Sequence, residues 1–149
     1  MKPLHTHRRR LLQALVLPAA VMLTLAGCAS TPSPQADREA LLQRAREYWE
    51  LSRKNDTLNA WKYEAASKDQ SMTLEGYVKR GGIVYDSVEV LGVRSLQGDE
   101  ARVDVRMRYG VPLLRLKKME ADAQDQWRRI DGIWYHVLPR SSVFPGEKR

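Results

Sequence analysis

The chain has 149 residues, with 25 Lys or Arg against 18 Asp or Glu, and its formal net charge is +7. Residues 1–27 hold four of the basic side chains and no acidic one, so residues 28–149 carry only +3. So small an excess on a surface of mixed sign is not the dense basic stripe that binds phosphates, and we expect no nucleic-acid partner. Beyond residue 28 the chain has one histidine and no cysteine, which cannot supply a usual zinc site, and no glycine-rich phosphate loop occurs, so we expect no metal and no cofactor.

The N-terminal residues have the order of an export signal. Lys2 and the run Arg8–Arg10 precede an uncharged, mostly apolar stretch that extends from residue 11 to residue 25. At roughly 15 residues this stretch is shorter than the about 20 that span a bilayer as a helix, so it indicates a signal core rather than a lasting transmembrane helix. The arginine run and the two leucines after it also fit a twin-arginine signal loosely, which leaves the export route open.

The apolar stretch ends at the only cysteine of the chain. Leu25, Ala26 and Gly27 precede Cys28, and this run resembles the lipobox of bacterial lipoproteins. The resemblance implies that the signal peptide, residues 1–27, is removed and that the cysteine carries diacylglycerol and palmitate, so that the membrane is a partner through the lipid anchor. The Ala that follows the cysteine, where an Asp would favour the inner membrane, suggests the outer membrane facing the periplasm.

The rest of the chain is predicted to divide into a tether, one domain and a tail. Residues 28–36 are small, polar and proline-bearing, a composition that cannot bury a core, and they predict a flexible tether. Residues 37–140 suit one compact domain with a single core. Residues 141–149 are predicted to be a polar tail.

A long helix is predicted over residues 37–54, which contain neither Gly nor Pro. Ser33 and Pro34 can cap it, because Ser accepts backbone N–H bonds and Pro tolerates the first helical position. The apolar residues of this segment recur at helical spacing and are Leu41, Leu42, Ala45, Tyr48 and Trp49.

Two shorter helices are predicted to follow. Residues 55–57 break the first helix and can cap a second one, which carries Leu58, Trp61 and Ala65 on one face. A third helix is predicted from residue 72 to residue 80, ended by a Gly-Gly pair that can close it.

After residue 82 the apolar period changes from about 3.6 to about 2, which predicts strands. Residues 83–96 are rich in Val and Tyr, and residues 101–109 alternate between an apolar and a charged face. The polar run between these two strands has hairpin length. Beyond Pro112, residues 119–128 alternate again and favour a strand, although a helix over residues 113–123 competes with it.

The sequence Ile-Asp-Gly-Ile at residues 130–133 predicts a hairpin with a two-residue type I′ turn, because Asp-Gly tolerates the positive φ angles of that turn. Counting outward, Trp127 opposes His136 and Arg129 opposes Trp134, and all four share one face of the sheet. The pattern does not decide which face is buried. We favour the face with the two tryptophans, since their large apolar area is costly to leave in water.

Helices followed by antiparallel strands predict the α+β class, with N-terminal helices packed on a curved antiparallel sheet of about four strands. This order of elements and the ending WRRIDGIWYH, residues 127–136, resemble the NTF2-like (cystatin-like, SnoaL-type) cone. The resemblance covers residues 37–138. It implies a cavity between the sheet and the first helix, which members of this family use for acid/base chemistry, for small ligands or for protein contacts.

His136 is the candidate for chemistry, because the other two histidines lie in the predicted signal peptide. Asp125 is its diagonal neighbour in the predicted register, and Tyr85 or Tyr109 is a candidate proton donor. A lone histidine beside Trp127 is more often a packing residue, and the helices supply no Asp-His pair. Whether the chain is an enzyme therefore stays open, with a non-catalytic role favoured.

Six aromatic residues are candidates for binding an apolar ligand, although such side chains also simply fill cores. They are Trp49, Trp61, Tyr85, Tyr109, Trp127 and Trp134. Basic residues also cluster at two places: Arg102, Arg106 and Arg108 on one strand face, and Arg115, Lys117 and Lys118 in the following turn. Such a surface is typically solvated; if it binds a partner, that partner is an anionic lipid headgroup or an acidic protein.

The sequence thus predicts a non-catalytic envelope lipoprotein whose NTF2-like domain binds a partner protein or a small apolar ligand. The alternative is a pocket enzyme of the isomerase or hydrolase type that uses His136. A third hypothesis, a scaffold that only stabilises a neighbouring complex, predicts filled space rather than a cavity between the first helix and the sheet.

Overall fold

The computed structural model describes residues 33–139, and within them the helices precede the strands, as predicted. The first helix, α1, spans Pro34–Arg53; the Ser33 hydroxyl accepts a hydrogen bond from the N–H of Ala36 at 3.2 Å, which confirms the predicted cap. Residues 34–36, predicted to belong to the tether, are therefore the first turn of α1. The predicted signal peptide with its Leu25–Cys28 motif lies outside the described residues, and so does the predicted polar tail.

The prediction of one continuous second helix is wrong. The chain instead forms three shorter pieces: α2 (Thr57–Ala60), a 3-10 turn (Trp61–Tyr63) and α3 (Ala66–Asp69). Asp56 caps α2, as predicted. Leu58, expected on the buried face of that helix, is 62% exposed, whereas Ala65 is buried.

The break lies at Glu64, whose backbone is extended (φ −81°, ψ 135°). Glu64 forms a parallel bridge with His136 on the last strand of the sheet, and the N–H of Ala65 donates to the His136 carbonyl at 2.8 Å. The edge of the sheet thus offers this segment a hydrogen-bond partner that a continued helix would not use.

A fourth helix and four strands complete the described part of the chain. α4 (Leu74–Lys79) lies within the third predicted helix. The strands are β1 (Val84–Gln97), β2 (Glu100–Val111), β3 (Leu116–Ile130) and β4 (Ile133–Val137), and they form an antiparallel sheet in the order β1-β2-β3-β4. The helix that competed for residues 113–123 is reduced to a 3-10 turn at Pro112–Leu114, so the predicted strand is confirmed there.

The β3–β4 hairpin has the predicted register. Asp131 and Gly132 both have positive φ, 51° and 78°, as a type I′ turn requires. Trp127 pairs with His136 and Arg129 with Trp134. The local turn chemistry therefore places the ring of His136 on the same face as the Trp127 indole.

The core lies between α1 and one face of the sheet. Trp127 and Trp134 are each 1% exposed, which confirms that the tryptophan face is the buried one. The other buried members of the core are Leu41, Ala45, Tyr48, Trp49, Ala60, Val93, Ala101, Val103 and Val105. Three register shifts interrupt the pairing of β1 with β2, and irregularities of this kind bend a strand. The predicted α+β class, with helices packed on a curved antiparallel sheet, is confirmed.

The opposite face of the sheet is charged and exposed. Cross-strand ion pairs run along it: Arg94 with Asp104, Arg106 with Asp122 and Arg108 with Glu120. Among residues 33–139, no helix combines the length and the apolar character needed to cross a membrane.

Candidate functional site

A cavity of about 450 Å³ lies between α1, the α2–α4 segment and the sheet. α1 contributes Trp49, β1 contributes Tyr85, and Ile83 and Met107 add aliphatic surface. Asp125 of β3 and His136 of β4 place polar groups on the same wall. Mostly apolar walls with a few convergent polar groups are typical of small-molecule sites, and the volume lies within their usual range.

His136 lies between two buried carboxylates. Its Nδ1 is 3.0 Å from Oε2 of Glu64, and its Nε2 is 3.9 Å from Oδ1 of Asp125. The three residues are 4%, 0% and 8% exposed, respectively. The diagonal relation between His136 and Asp125 follows from the hairpin register, whereas Glu64 arrives from the break between α2 and α3.

Two aromatic residues of α1 hold the carboxylates in place. The Tyr48 hydroxyl donates to Oε1 of Glu64 at 2.9 Å, and its ring stacks on the His136 imidazole with centroids 4.3 Å apart. The Trp49 indole N–H donates to Oδ2 of Asp125. α1 can do this because positions 48 and 49 follow its buried face, one turn beyond Ala45.

These contacts shift the acid–base properties of the cluster. Burial by itself lowers the pKa of His136, but the hydrogen bond and charge of Glu64 and the charge of Asp125 outweigh it and raise the pKa above its usual value. Burial raises the pKa of Asp125, although His136 and the Trp49 hydrogen bond partly offset this. Burial and then the charge of Glu64 raise the pKa of Tyr48. The cluster therefore holds a proton on the imidazole more strongly than water would.

Burial, followed by the charge of Asp125, raises the pKa of Tyr85 to about 12, so its hydroxyl keeps its proton and remains a donor at neutral pH. Tyr85 contacts the edge of Trp49, with ring centroids 5.2 Å apart. The cavity wall thus carries a neutral phenol next to the two ionisable groups.

Two polar atoms of the cluster have no hydrogen-bond partner among residues 33–139, and both belong to residues that line the cavity. They are Nε2 of His136 and Oδ1 of Asp125. Separated by 3.9 Å, they can bind one group that accepts from the imidazole and donates to the carboxylate, such as a hydroxyl or a primary amide. Glu64, fixed on the far nitrogen, orients the imidazole for such a contact.

The structure divides the six aromatic candidates. Trp49 and Tyr85 line the cavity. Tyr109 lies behind Tyr85, with ring centroids 6.5 Å apart, and Trp61 packs on Tyr77 at 5.1 Å. Trp127 and Trp134 fill the core, so these four do not line the cavity.

Sequence reasoning missed Glu64, because the predicted continuous helix left it no special role. A signal was present: Glu64 lies three residues after Trp61 and directly before Ala65, so an acidic side chain stood on the face predicted to be apolar. Tyr48 was assigned only to the buried face of the first helix. Its role in holding Glu64 depends on a contact that the pattern of one helix does not reveal.

A third buried carboxylate, Asp37, lies at the other end of α1, and sequence reasoning missed it as well. It accepts a hydrogen bond from the Trp134 indole N–H at 2.9 Å and forms an ion pair with Arg129 at 3.1 Å. The guanidinium also lies over the Trp134 ring, 4.6 Å from its centroid. Its signal was similar, since Asp37 precedes Leu41 by one helical turn on the buried face.

Among residues 33–139, no group of three or more His, Cys, Asp or Glu side chains has an arrangement that could hold a metal ion. Glu64, Asp125 and His136 instead form a line, with the imidazole between the two acids.

No family model and no curated protein matches this chain. Among solved structures, a SEC-C motif containing protein from Rhodopseudomonas palustris is 18% identical, with a TM-score of 0.45, and the match covers 65% of this chain and 73% of that one. A protein named as an NTF2-like transpeptidase from Campylobacter jejuni is 13% identical, with a TM-score of 0.40 and coverage of 64% and 94%. At these TM-scores neither similarity bears on what the cavity does.

Proposed function

We propose that this chain is an envelope lipoprotein whose NTF2-like domain binds a small, mostly apolar molecule that carries a hydroxyl or amide group. The observation that carries the proposal is the pair formed by Nε2 of His136 and Oδ1 of Asp125, 3.9 Å apart at the wall of a cavity of about 450 Å³. A ligand group between these atoms would satisfy both, which an entirely apolar ligand would not do.

The shape of the cavity supports a small molecule rather than a polypeptide as the occupant. The walls are largely aromatic and aliphatic, and the polar pair is deep enough that both its residues are less than a tenth exposed. A small ligand can reach such a group, whereas a protein partner would contact mainly the rim. Partner-protein binding at another surface remains compatible with this role.

Binding can be tested with phenol and toluene, which have nearly the same shape but differ in the hydroxyl. The readout is the indole N–H resonance of Trp49 in the isotope-labelled full chain. The Trp134 indole, which does not line the cavity and donates to Asp37, serves as an internal reference. We expect both probes to shift the Trp49 signal. In Asp125→Leu the affinity for phenol falls by about tenfold, the effect of losing a charge-assisted hydrogen bond, while toluene is not weakened.

Two further variants keep the test informative. Trp61→Phe changes an aromatic residue that does not line the cavity, and it is expected to bind both probes as the wild type does. Ala123→Leu projects a larger side chain into the cavity and is expected to weaken both probes together. If neither probe moves the Trp49 resonance, or if Asp125→Leu affects both probes equally, the proposed binding site is wrong.

The envelope location in this proposal rests on the sequence run Leu25-Ala26-Gly27-Cys28 and the basic and apolar segments before it. Its test is metabolic labelling with a palmitate analogue in a bacterial host. The wild type is expected to incorporate label and to lose residues 1–27. Cys28→Ser is expected to stay unlabelled and unprocessed, whereas Ser30→Ala, a nearby change that spares the cysteine, behaves as the wild type; label on Cys28→Ser would contradict the lipid anchor.

Acid/base catalysis is the second candidate, favoured by the Glu64 contact at Nδ1 of His136. A carboxylate at one imidazole nitrogen orients the other nitrogen for proton transfer, the geometry of a general base and its orienting partner. An isomerase-type site would remove a proton from the carbon next to a carbonyl. The test is deuterium exchange of cyclohexanone in heavy water: exchange above background that is lost in His136→Gln favours the enzyme, and background exchange favours the binding protein.

A further inference from the structure

An exposed apolar surface lies at the end of the sheet where β1 begins and β2 connects to β3. We call it the leucine tip; it consists of Ile83, Val84, Leu113, Leu114 and Leu116. Leu113 and Leu114 are 86% and 68% exposed, and Leu113 reaches within 4.0 Å of where a Cβ on Gly82 would lie. The connection and the start of β1 therefore form one surface rather than scattered exposed residues, and such patches mark interaction sites.

Three cations that lie within or directly after the last residues of the leucine tip have no acidic partner among the described residues. Arg115, Lys117 and Lys118 are all exposed, and none forms an ion pair with another residue of the described range 33–139. The arginines on the outer face of the sheet differ, because Arg94, Arg106 and Arg108 each pair with a carboxylate on a neighbouring strand. The net positive charge at the tip is therefore not neutralised by the fold itself.

We propose that the leucine tip and its three cations form a membrane-contact site for anionic phospholipids. The two most exposed leucines are adjacent in a short connection, and they can enter the acyl-chain region while the cations bind headgroup phosphates. Lysine and arginine suit this position because their long side chains keep the charge at headgroup level. A small projecting turn can insert into a bilayer interface, which needs no matching shape. A stable protein–protein interface would need a larger complementary surface than this turn provides.

The site also lies far from the start of α1. Arg129 links Asp37, in the first turn of α1, to the carbonyl of Gly98 in the β1–β2 turn, so α1 begins near the end of the sheet opposite the tip. β2, with 12 residues, separates the two ends by about 40 Å.

Lysine footprinting tests the contact in the unmodified full chain. The protein is bound to vesicles of phosphatidylcholine alone or of phosphatidylcholine with phosphatidylglycerol, and an amine-acetylating reagent is applied before mass spectrometry. On the anionic vesicles we expect acetylation of Lys117 and Lys118 to fall by roughly fivefold or more, the scale set by the attraction of a surface cation to anionic lipid. Lys54 and Lys62, exposed elsewhere in the fold, serve as internal references and are expected to be unchanged.

A pair of leucine variants separates insertion from simple charge attraction. Leu113→Ser combined with Leu114→Ser is expected to remove most of the protection, and the high exposure of both side chains makes a folding defect unexpected. Leu58→Ser changes a leucine of similar exposure on α2 and is expected to keep the protection. Equal acetylation of Lys117 and Lys118 on both vesicle types would overturn the proposal. Protection that needs only added acidic protein, or a higher concentration of this chain without lipid, would overturn it as well.

Discussion

Asp37 and Asp125 are two buried aspartates, each of which accepts a hydrogen bond from a tryptophan indole. They lie at opposite ends of α1, and their remaining partners differ. Asp37 pairs with Arg129, whose charge is permanent, whereas Asp125 faces His136, whose charge depends on pH, across a gap at the cavity wall. The carboxylate–indole contact thus has a permanently charged partner at Asp37, whereas at Asp125 a gap of 3.9 Å separates the carboxylate from its charged partner.

This difference separates a structural site from one that can do chemistry. Around Asp37 the guanidinium also donates to the Gly98 carbonyl at 2.7 Å, so α1, β3 and the β1–β2 turn are joined by fixed hydrogen bonds. Around Asp125 the compensating charge is the His136 imidazolium, and Oδ1 lacks a hydrogen-bond donor among the described residues. A ligand can supply that donor at Asp125, whereas both oxygens of Asp37 are contacted by Arg129 and one of them also accepts from the Trp134 indole.

The largest expected effect on stability comes from a substitution at Asp37, whose site we call the closed site; the site of Asp125 and His136 is the open site. Asp37→Asn keeps an oxygen for the Trp134 indole but removes the buried charge that pairs with Arg129. The exposed Asp99 carboxylate, 3.1 Å from Nε of Arg129, becomes the remaining ionic partner of this largely buried guanidinium, and we expect a loss of about 2 kcal/mol in the free energy of unfolding. The measurement is urea denaturation at neutral pH. Probe binding at the cavity is expected to be unchanged, as judged by the Trp49 resonance.

The matched control is Asp122→Asn, which breaks the ion pair with Arg106 on the exposed face of the sheet. Water and salt screen that pair, so no measurable change in the unfolding midpoint is expected. Equal effects of the two substitutions would show that the Asp37 site owes little to burial.

The next largest expected effect is a pH dependence of stability, which arises from His136 in the open site. The pKa of His136 is raised in the folded protein, so the folded state binds more protons than the unfolded state. Its contribution to stability is fully present below the unfolded value of about 6.5 and is lost as pH rises through the folded pKa. We therefore expect the free energy of unfolding to fall across neutral and mildly alkaline pH, in urea titrations at fixed ionic strength.

Two variants locate this dependence. His136→Gln is expected to flatten the fall, since the side chain no longer titrates, and Asp37→Asn is expected to lower the whole curve without changing its slope. The raised pKa of Asp125 adds a fall of the same sign at lower pH, beginning near its unfolded value of about 3.9. A stability that rises from mildly acidic to alkaline pH in the wild type would contradict the assignment of the proton to His136.

The two sites also show what sequence patterns can predict. The pairing of Trp127 with His136 followed from Asp131-Gly132, because turn chemistry and strand alternation act over a few residues. The position of Asp125 followed from the same register. Asp37 also carried a local signal, because it is an acidic residue one turn before Leu41 on the buried face of a helix. Its partner Arg129 is distant in the sequence, so the ion pair could not be predicted from that signal.

Glu64 illustrates the opposite case. The helical conformation is interrupted at Glu64, where the chain pairs with His136 of β4, and that partner lies 72 residues further along the sequence. No window of local sequence contains both groups, so helical spacing predicted continuation. The cavity is similarly non-local: its volume depends on the gap between α1 and the sheet, which Trp49 and Tyr85 set together through packing rather than through any motif. The exposure of Leu113 and Leu114 at the tip depends on tertiary packing in the same way.

The smallest expected effect on stability is the most direct test of the open site. Asp125→Asn retains an oxygen for the Trp49 indole and removes a charge whose raised pKa shows that folding disfavours it. The same change removes an attraction to the His136 imidazolium, so the two contributions oppose each other and we expect the free energy of unfolding to change by less than about 1 kcal/mol. The pKa of His136, followed by its ring-proton resonances, is nonetheless expected to fall, because Asp125 contributes to raising it. A loss as large as that of Asp37→Asn, with an unmoved His136 titration, would mean that Asp125 is a structural anchor like Asp37 and that the cavity wall is closed.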